Sequence, residues 1–192
     1  MKVQKISGNV WKFTGTENVN VYLITGEHGE NIVIDAGNRS DRQDLVRLLG
    51  SMVDLKKIST VIFTHLHYDH IGNFDLFPNS AFYASEEEIN SLEADRKGTI
   101  LNEDIENKFN IKLRKLPDDM GPLEVIKSPG HTRGSVCLWY KEKKILFTGD
   151  TFFSKKKKGR TDLPTSAPDE MGATLMRLLE YNPQTIAPGH DY

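Results

Sequence analysis

Short runs rich in β-branched and aromatic residues recur along the chain: "VNVYLIT", "NIVIDAG", "STVIFTH", "AFYAS", "LEVIKS", "SVCLWY", "KILFTGD" and "QTIAPGH". Each has the length and composition of a strand. Between them lie stretches with apolar residues at helical spacing, so the pattern predicts an α/β chain. "SDRQDLVRLLGSM" opens on a capping box from Ser40 to Gln43, sets Leu45, Leu48, Leu49 and Met52 on one stripe, and has Gly50 near its exit. "SEEEINSL" repeats the device with Ser85 and Glu88. "SAPDEMGATLMRLLEY" offers Ser166, Pro168 and acids in a first turn, then Met171, Leu175, Leu178 and Leu179. All three are expected to pack on a sheet. An echo runs through the order of elements: "NIVIDAG", helix, "VIFTH" in the first half and "KILFTGD", helix, "TIAPGH" in the second. The stretch from Glu93 to Pro122 is polar and weakly patterned, and reads as a lid or a surface excursion.

A chain of 192 residues has the size of one domain, taken as 1–192. Its formal net charge of -2, with both signs interspersed, offers no broad electrostatic footprint for nucleic acid. No apolar run approaches the roughly 18 residues of a membrane span, and "MKVQKISGNVW" lacks the apolar middle of a signal peptide. A cytoplasmic protein with neither nucleic-acid nor membrane partners is expected. The lone Cys137, inside "VCLWY", reads as a small buried hydrophobe rather than a nucleophile.

Chemistry concentrates where strands end. His65, His67, Asp69 and His70 follow "VIF", His131 follows "VIKSPG", Asp150 follows "ILFTG", and His190 follows "TIAPG". Carboxyl ends of strands in α/β sheets face a shared crevice, so these distant residues can converge. In the HxHxDH spacing, extended residues two apart point to one side, which lets His65 and His67 grip one ion while Asp69 and His70, beyond the bend, suit another. Imidazole nitrogen and carboxylate oxygen are zinc ligands, and a catalytic site leaves a position open for water. A pair of cations about 3.5 to 4 Å apart lowers the pKa of water toward about 7 and makes hydroxide available as a nucleophile. Neither a GxSxG elbow nor a P-loop offers a different chemistry.

Flanking residues have two readings each. Asp35 either fixes the tautomer of a ligand histidine or stabilises a strand exit. Thr132 and Ser135 can pin the loop around His131, with Arg133 beside them. Arg160 and Asp162 form a supporting ion pair or a solvated one. The lysine run "SKKKKGR" lies at a pocket mouth and attracts anions, or is a solvated loop. Tyr68 and Tyr192 sit beside ligands and either donate to a substrate carbonyl or pack. His28, in the turn "GEHGE", is not a ligand candidate.

The order "HLHYDH", "SPGHTRGS", "LFTGD", "APGH" resembles the metallo-β-lactamase superfamily over nearly the whole chain. The resemblance implies a four-layer αββα sandwich of two similar halves. By matching motif position it implies His65, His67 and His131 on one metal, Asp69, His70 and His190 on a second, and Asp150 bridging both. It also gives Asp69 the task of orienting the attacking water, so Asp69 and Asp150 are the candidate catalytic residues. The implied cofactors are two divalent ions, with zinc the first choice and iron or manganese admitted by the all-N/O donor set. Asp150 stands where several true β-lactamases of the superfamily have cysteine, which disfavours lactam hydrolysis, and His67 stands where flavodiiron proteins usually have a carboxylate. "GDTFF" and "GRTDLP" resemble glyoxalase II (hydroxyacylglutathione hydrolase) and its short relatives, implying a small acyl thioester or ester as substrate. The chain stops two residues after His190, short of the helical domain with which full-length glyoxalase II holds glutathione, so another acyl-thiol is expected. "FPNS" resembles N-acyl homoserine lactonases, and the "GRTD" region resembles mononuclear iron persulfide dioxygenases. Lactone opening and persulfide oxidation are therefore the alternatives. Nothing in the sequence sets the oligomeric state.

Overall fold

The computed structural model describes residues 1–26, 30–153 and 157–192. His28 and the stretch Ser154 to Lys156 of the lysine run lie outside them. Two sheets form. The first has the order β1 (Lys2–Ser7), β2 (Val10–Thr14), β3 (Asn20–Ile24), β4 (Asn31–Ile34), β5 (Ile58–Ile62), β6 (Ala81–Ala84) and β7 (Leu113–Lys115). The second runs from β12 (Thr185–Pro188) through β11 (Ile145–Gly149), β10 (Val136–Tyr140) and β9 (Leu123–Lys127) to β8 (Asp119–Met120). The helices are α1 (Arg42–Gly50), α2 (Tyr68–Ile71), α3 (Glu86–Ala94), α4 (Arg96–Ile100), α5 (Glu103–Lys108) and α6 (Met171–Leu179).

Strand alternation explains why the layers stack as they do. Successive side chains point to opposite faces of a sheet. Val21, Leu23 and Val33 therefore join Leu45 and Leu49 of α1 and Ile105 of α5 in a core on the outer face of the first sheet. Their neighbours Tyr22, Ile24, Ile32 and Ile34 turn the other way and meet Val136, Leu138, Ile145 and Phe147 between the sheets. Cys137, Trp139 and Leu146 face outward again onto Leu178 of α6. Helix, sheet, sheet and helix are thus glued by three apolar seams, the αββα sandwich that the resemblance implies. The echo is topological as well: β4 pairs parallel with β5, and β11 parallel with β12, each pair separated in sequence by a helix. Parallel pairing across a helix brings both carboxyl ends of a pair to the same edge.

Several local expectations are corrected. Ser40 begins no capping box; it lies in a 3-10 turn whose cap is Asn38, and Asp41 precedes α1 without a side-chain cap bond. Ser85 does accept a hydrogen bond from the Glu88 N–H, but the Glu88 carboxylate turns inward instead of reaching back to the cap. α6 starts at Met171, after a turn, so Ser166 and Pro168 are outside it, and Leu179 is exposed on its far side. The stretch from Glu93 to Pro122 is not surface decoration, since Ile100, Ile105 and Phe109 are buried in the first core. No helix among the described residues is long and apolar enough to cross a membrane.

Candidate metal centre

Each predicted ligand sits just past the carboxyl end of a strand, and the structure brings all seven together. His65, His67, Asp69 and His70 follow β5, with His67 preceding α2 and Asp69 and His70 inside it. His131 lies between β9 and β10, Asp150 directly after β11, and His190 just after β12. The two halves meet along this edge. The Val136 N–H donates to the Thr64 carbonyl at 3.0 Å, the Asn20 N–H to Gly189 at 2.8 Å, and the Tyr22 hydroxyl to Pro188 at 2.6 Å. Space is fully used: a Cβ on Gly189 would fall 2.2 Å from Asp150 Oδ1, so no larger residue fits there.

Three overlapping groups emerge: His65 with His67 and His131; Asp69 with His70 and His190; and His65 with His70 and Asp150. Within each, one ligand atom per residue lies within 4.8 Å of the others. Asp150 Oδ1 is 3.4 Å from His70 Nε2, and its Oδ2 is 3.3 Å from His190 Nε2 and 3.7 Å from His131 Nε2. Asp69 Oδ2 stands 3.3 Å from His190 Nε2. His67 Nδ1 and His131 Nε2 converge to 3.0 Å.

The surroundings decide which nitrogen faces inward in four of the rings. A carbonyl only accepts, so His131 Nδ1 donates to Arg160 O at 2.8 Å and His190 Nδ1 donates to Glu17 O at 3.0 Å, leaving each Nε2 for the interior. His70 Nδ1 donates to Asp35 Oδ2 at 2.8 Å. Thr64 Oγ1 also donates to Asp35 Oδ2, which leaves its lone pair for His65 Nδ1 at 3.2 Å. Asp35 thus serves both readings given to it: it orients a site histidine, and by accepting from the Thr64 N–H at 2.8 Å it pins the exit of β5. Its positive φ of 59° is held by these contacts.

The electrostatics of the groups differ. Burial depresses His65 well below the ordinary histidine value, lowers His131, and takes His67 to about 3. Burial also disfavours charge on His70 and His190, yet Asp150, with Asp35 and Asp69 beside His70, overrides it. His190 is pushed up to about 10 by its contacts with Asp150 and Asp69. Burial would raise Asp150, but His70 and His190 hold it well below the carboxylate range. Meanwhile His65 Nε2, His70 Nε2 and Asp150 Oδ1 are buried without a hydrogen-bond partner. Inward-facing lone pairs and acids with no protein partner are what a divalent cation would satisfy, so the donor set fits metal.

A cleft of about 500 Å³ opens over the cluster, walled by Glu17, Tyr68, Leu101, Leu163 and Tyr192. Beside it lies a smaller recess of about 320 Å³ that includes Lys157, Lys158 and Arg160, so the described end of the lysine run reaches the mouth. Tyr192 packs, its ring stacked on His190 at 5.3 Å and edge-on to Phe153 at 5.0 Å. The Arg160–Asp162 pair forms at 2.8 Å but is exposed on both sides, and it is the Arg160 carbonyl, not this pair, that touches the site. A larger cleft of about 630 Å³, walled by Asn9, Ile24, Ser59 and Tyr140, borders the opposite ends of β4 and β5 and shares no residue with the cluster. The sequence reading missed Thr64, the Glu17 and Arg160 carbonyls, Ser166, which donates to His131 O at 2.7 Å, and Glu88. Backbone acceptors carry no residue signature. Ser166 and Glu88 looked like capping residues.

A fold of this kind with histidine and aspartate clusters at one sheet edge defines a metal-dependent hydrolase scaffold. The family model for the metallo-beta-lactamase superfamily matches residues 14–190, and the chain belongs to that superfamily. It is 32% identical over 193 residues to a probable metallo-hydrolase of Methanocaldococcus jannaschii, covering 89% of this chain and 86% of the relative. It is 26% identical over 180 residues to an atrochrysone carboxyl ACP thioesterase of Aspergillus fumigatus, covering 91% of this chain and 51% of that enzyme. Among solved structures, a protein crystallised in a di-iron-bound form superposes with a TM-score of 0.72 at 26% identity, covering 93% of this chain and 90% of the other.

Proposed function

We propose that the chain is a binuclear metal-dependent hydrolase of small acyl thioesters or esters, similar to glyoxalase II, working as one domain over 1–192. The observation that carries this is the trio of overlapping ligand groups under an open cleft. In this reading His65, His67 and His131 hold one divalent ion, Asp69, His70 and His190 hold the other, and Asp150 is shared. When bound, such ions supply Lewis-acid polarisation of a carbonyl and a water acidic enough to act at neutral pH. Zinc is the first choice, and the all-N/O donors admit iron or manganese. The protein does the rest. Asp69 lines the cleft, where its carboxylate orients the attacking water. The Leu101 and Leu163 wall suits an acyl chain, while Lys157 and Lys158 favour an anionic leaving group.

The relative named as an ACP thioesterase lends support to thioester chemistry, and a cytoplasmic setting belongs to the same reading. Neither nucleic acid nor membrane enters the proposal. The test is a hydrolysis screen over acyl thioesters, esters, lactones and phosphoesters on metal-quantified protein, with an oxygen electrode on a persulfide substrate in parallel. Thioester or ester turnover that disappears on chelation and returns with metal supports the reading. Turnover of lactones alone would move the assignment to lactone opening, and oxygen uptake with one iron per chain would replace hydrolysis with persulfide oxidation.

A further inference from the structure

The three histidines of the first group come from opposite halves of the sandwich, and a single carboxylate joins the loops that carry them. Glu88, in the first turn of α3, is fully buried. Its Oε2 accepts from the Leu66 N–H at 2.8 Å, the peptide between His65 and His67. Its Oε1 accepts from the Thr132 hydroxyl at 2.6 Å, the residue after His131. The same α3 terminus grips the second loop again: the Ser85 hydroxyl donates to the Gly134 carbonyl at 2.6 Å. The approach is so close that a Cβ on Gly134 would lie 2.4 Å from the Glu88 nitrogen. Thr132 is tied further to Ser135, through its N–H at 3.1 Å and between the hydroxyls at 2.7 Å. A buried acid is costly unless its oxygens are satisfied, and here every hydrogen bond of the Glu88 carboxylate goes to a histidine-bearing loop.

We infer that Glu88 is a positioning residue that sets the spacing between His131 and the His65–His67 pair, and so the affinity and geometry of the first ion without touching it. The inference rests on the proposed two-metal reading. The effect of Glu88 is selective, because its carboxylate makes no hydrogen bond to Asp69, His70 or His190, whereas the His70 ring is held by Asp35. Loss of a residue that orients metal ligands typically weakens metal binding about 10- to 100-fold.

The test is cobalt titration of the metal-free full chain, following visible absorption against a competing chelator, with His190→Ala used to assign the two ions. The unaltered chain should bind two ions. Glu88→Ala should weaken the first by about 10- to 100-fold and shift its absorption band while leaving the second within about two-fold. Glu88→Gln, which spans the same gap with one acceptor and one donor against the adaptable Thr132 hydroxyl, should restore most of the loss. Thr132→Val, nearly isosteric and tolerable even where Glu88→Ala does not fold, should weaken only the first ion. Equal weakening of both ions in these variants would reduce Glu88 to a packing residue, and unchanged affinity and spectrum would remove its role altogether. An unaltered chain that binds no cobalt overturns the functional reading itself, an outcome seen before any variant is measured.

Discussion

The two ligand groups are built from similar residues but solve opposite electrostatic problems. His65, His67 and His131 face one another without a carboxylate of their own, and burial keeps all three neutral. Asp69, His70 and His190 surround acids, which hold protons on the two histidines against burial. The first group is a set of lone pairs whose problem is spacing; the second is an ion-paired cluster whose problem is charge. Their supports differ too: Glu88 ties together the loops of the first group, while Asp35 holds the His70 ring directly and reaches His65 only through Thr64.

Removing the shared Asp150 should erase the distinction altogether. Asp150→Ala is expected to lose both ions on dialysis and to drop hydrolysis to background, read by elemental analysis beside the activity assay. Retention of both ions would refute the shared role. Asp35→Asn sharpens the comparison from the charged side: in the same cobalt titration it should weaken the second ion about 10- to 100-fold through the His70 ring, and the first ion less, because Asp35 reaches His65 only through Thr64. A third expectation concerns pH. His190 holds its proton up to about 10 in the absence of a cation, so loading the second group must displace protons, whereas the already neutral first group displaces none. The second ion's affinity should therefore rise between about pH 6 and pH 9 while the first stays flat, measured by calorimetry in buffers of different ionisation enthalpy. Lys158→Ala, at the mouth, should raise KM for anionic substrates only a few-fold, with an effect that fades in high salt. Smallest of all, Asp162→Ala should leave the thermal midpoint and activity unchanged within error, because its pair with Arg160 is solvated.

The two regions also differed in how far they could be read from the sequence. The HxHxDH corner is local, so its spacing along one strand end already separates two ligand directions, and the coordinates place His65 with His67 and Asp69 with His70 accordingly. His131, Asp150 and His190 were legible only as polar residues after apolar runs, and convergence had to be argued from sheet topology. Strands β3, β4, β10 and β11 announced themselves through apolar runs buried on both faces, and β5, β6, β9 and β12 through short apolar runs bounded by turn residues. β1 did not, because Lys2, Gln4 and Lys5 leave it exposed at a sheet edge, and β7 and β8 are too short to form a pattern. Glu88 and Ser166 misled for different reasons: Glu88 does sit in the first turn of its helix but turns its carboxylate to the His131 loop, whereas α6 begins only at Met171 and leaves Ser166 free to donate to His131 O.

The most direct test is anomalous diffraction, collected above and below the zinc, iron and manganese absorption edges, from crystals of protein purified without added metal. The account predicts two peaks, one among His65, His67 and His131 and one among Asp69, His70 and His190, with the Asp150 carboxylate between them. A cluster with no anomalous density, or a single ion that leaves one of the two groups without metal at full occupancy, would contradict it.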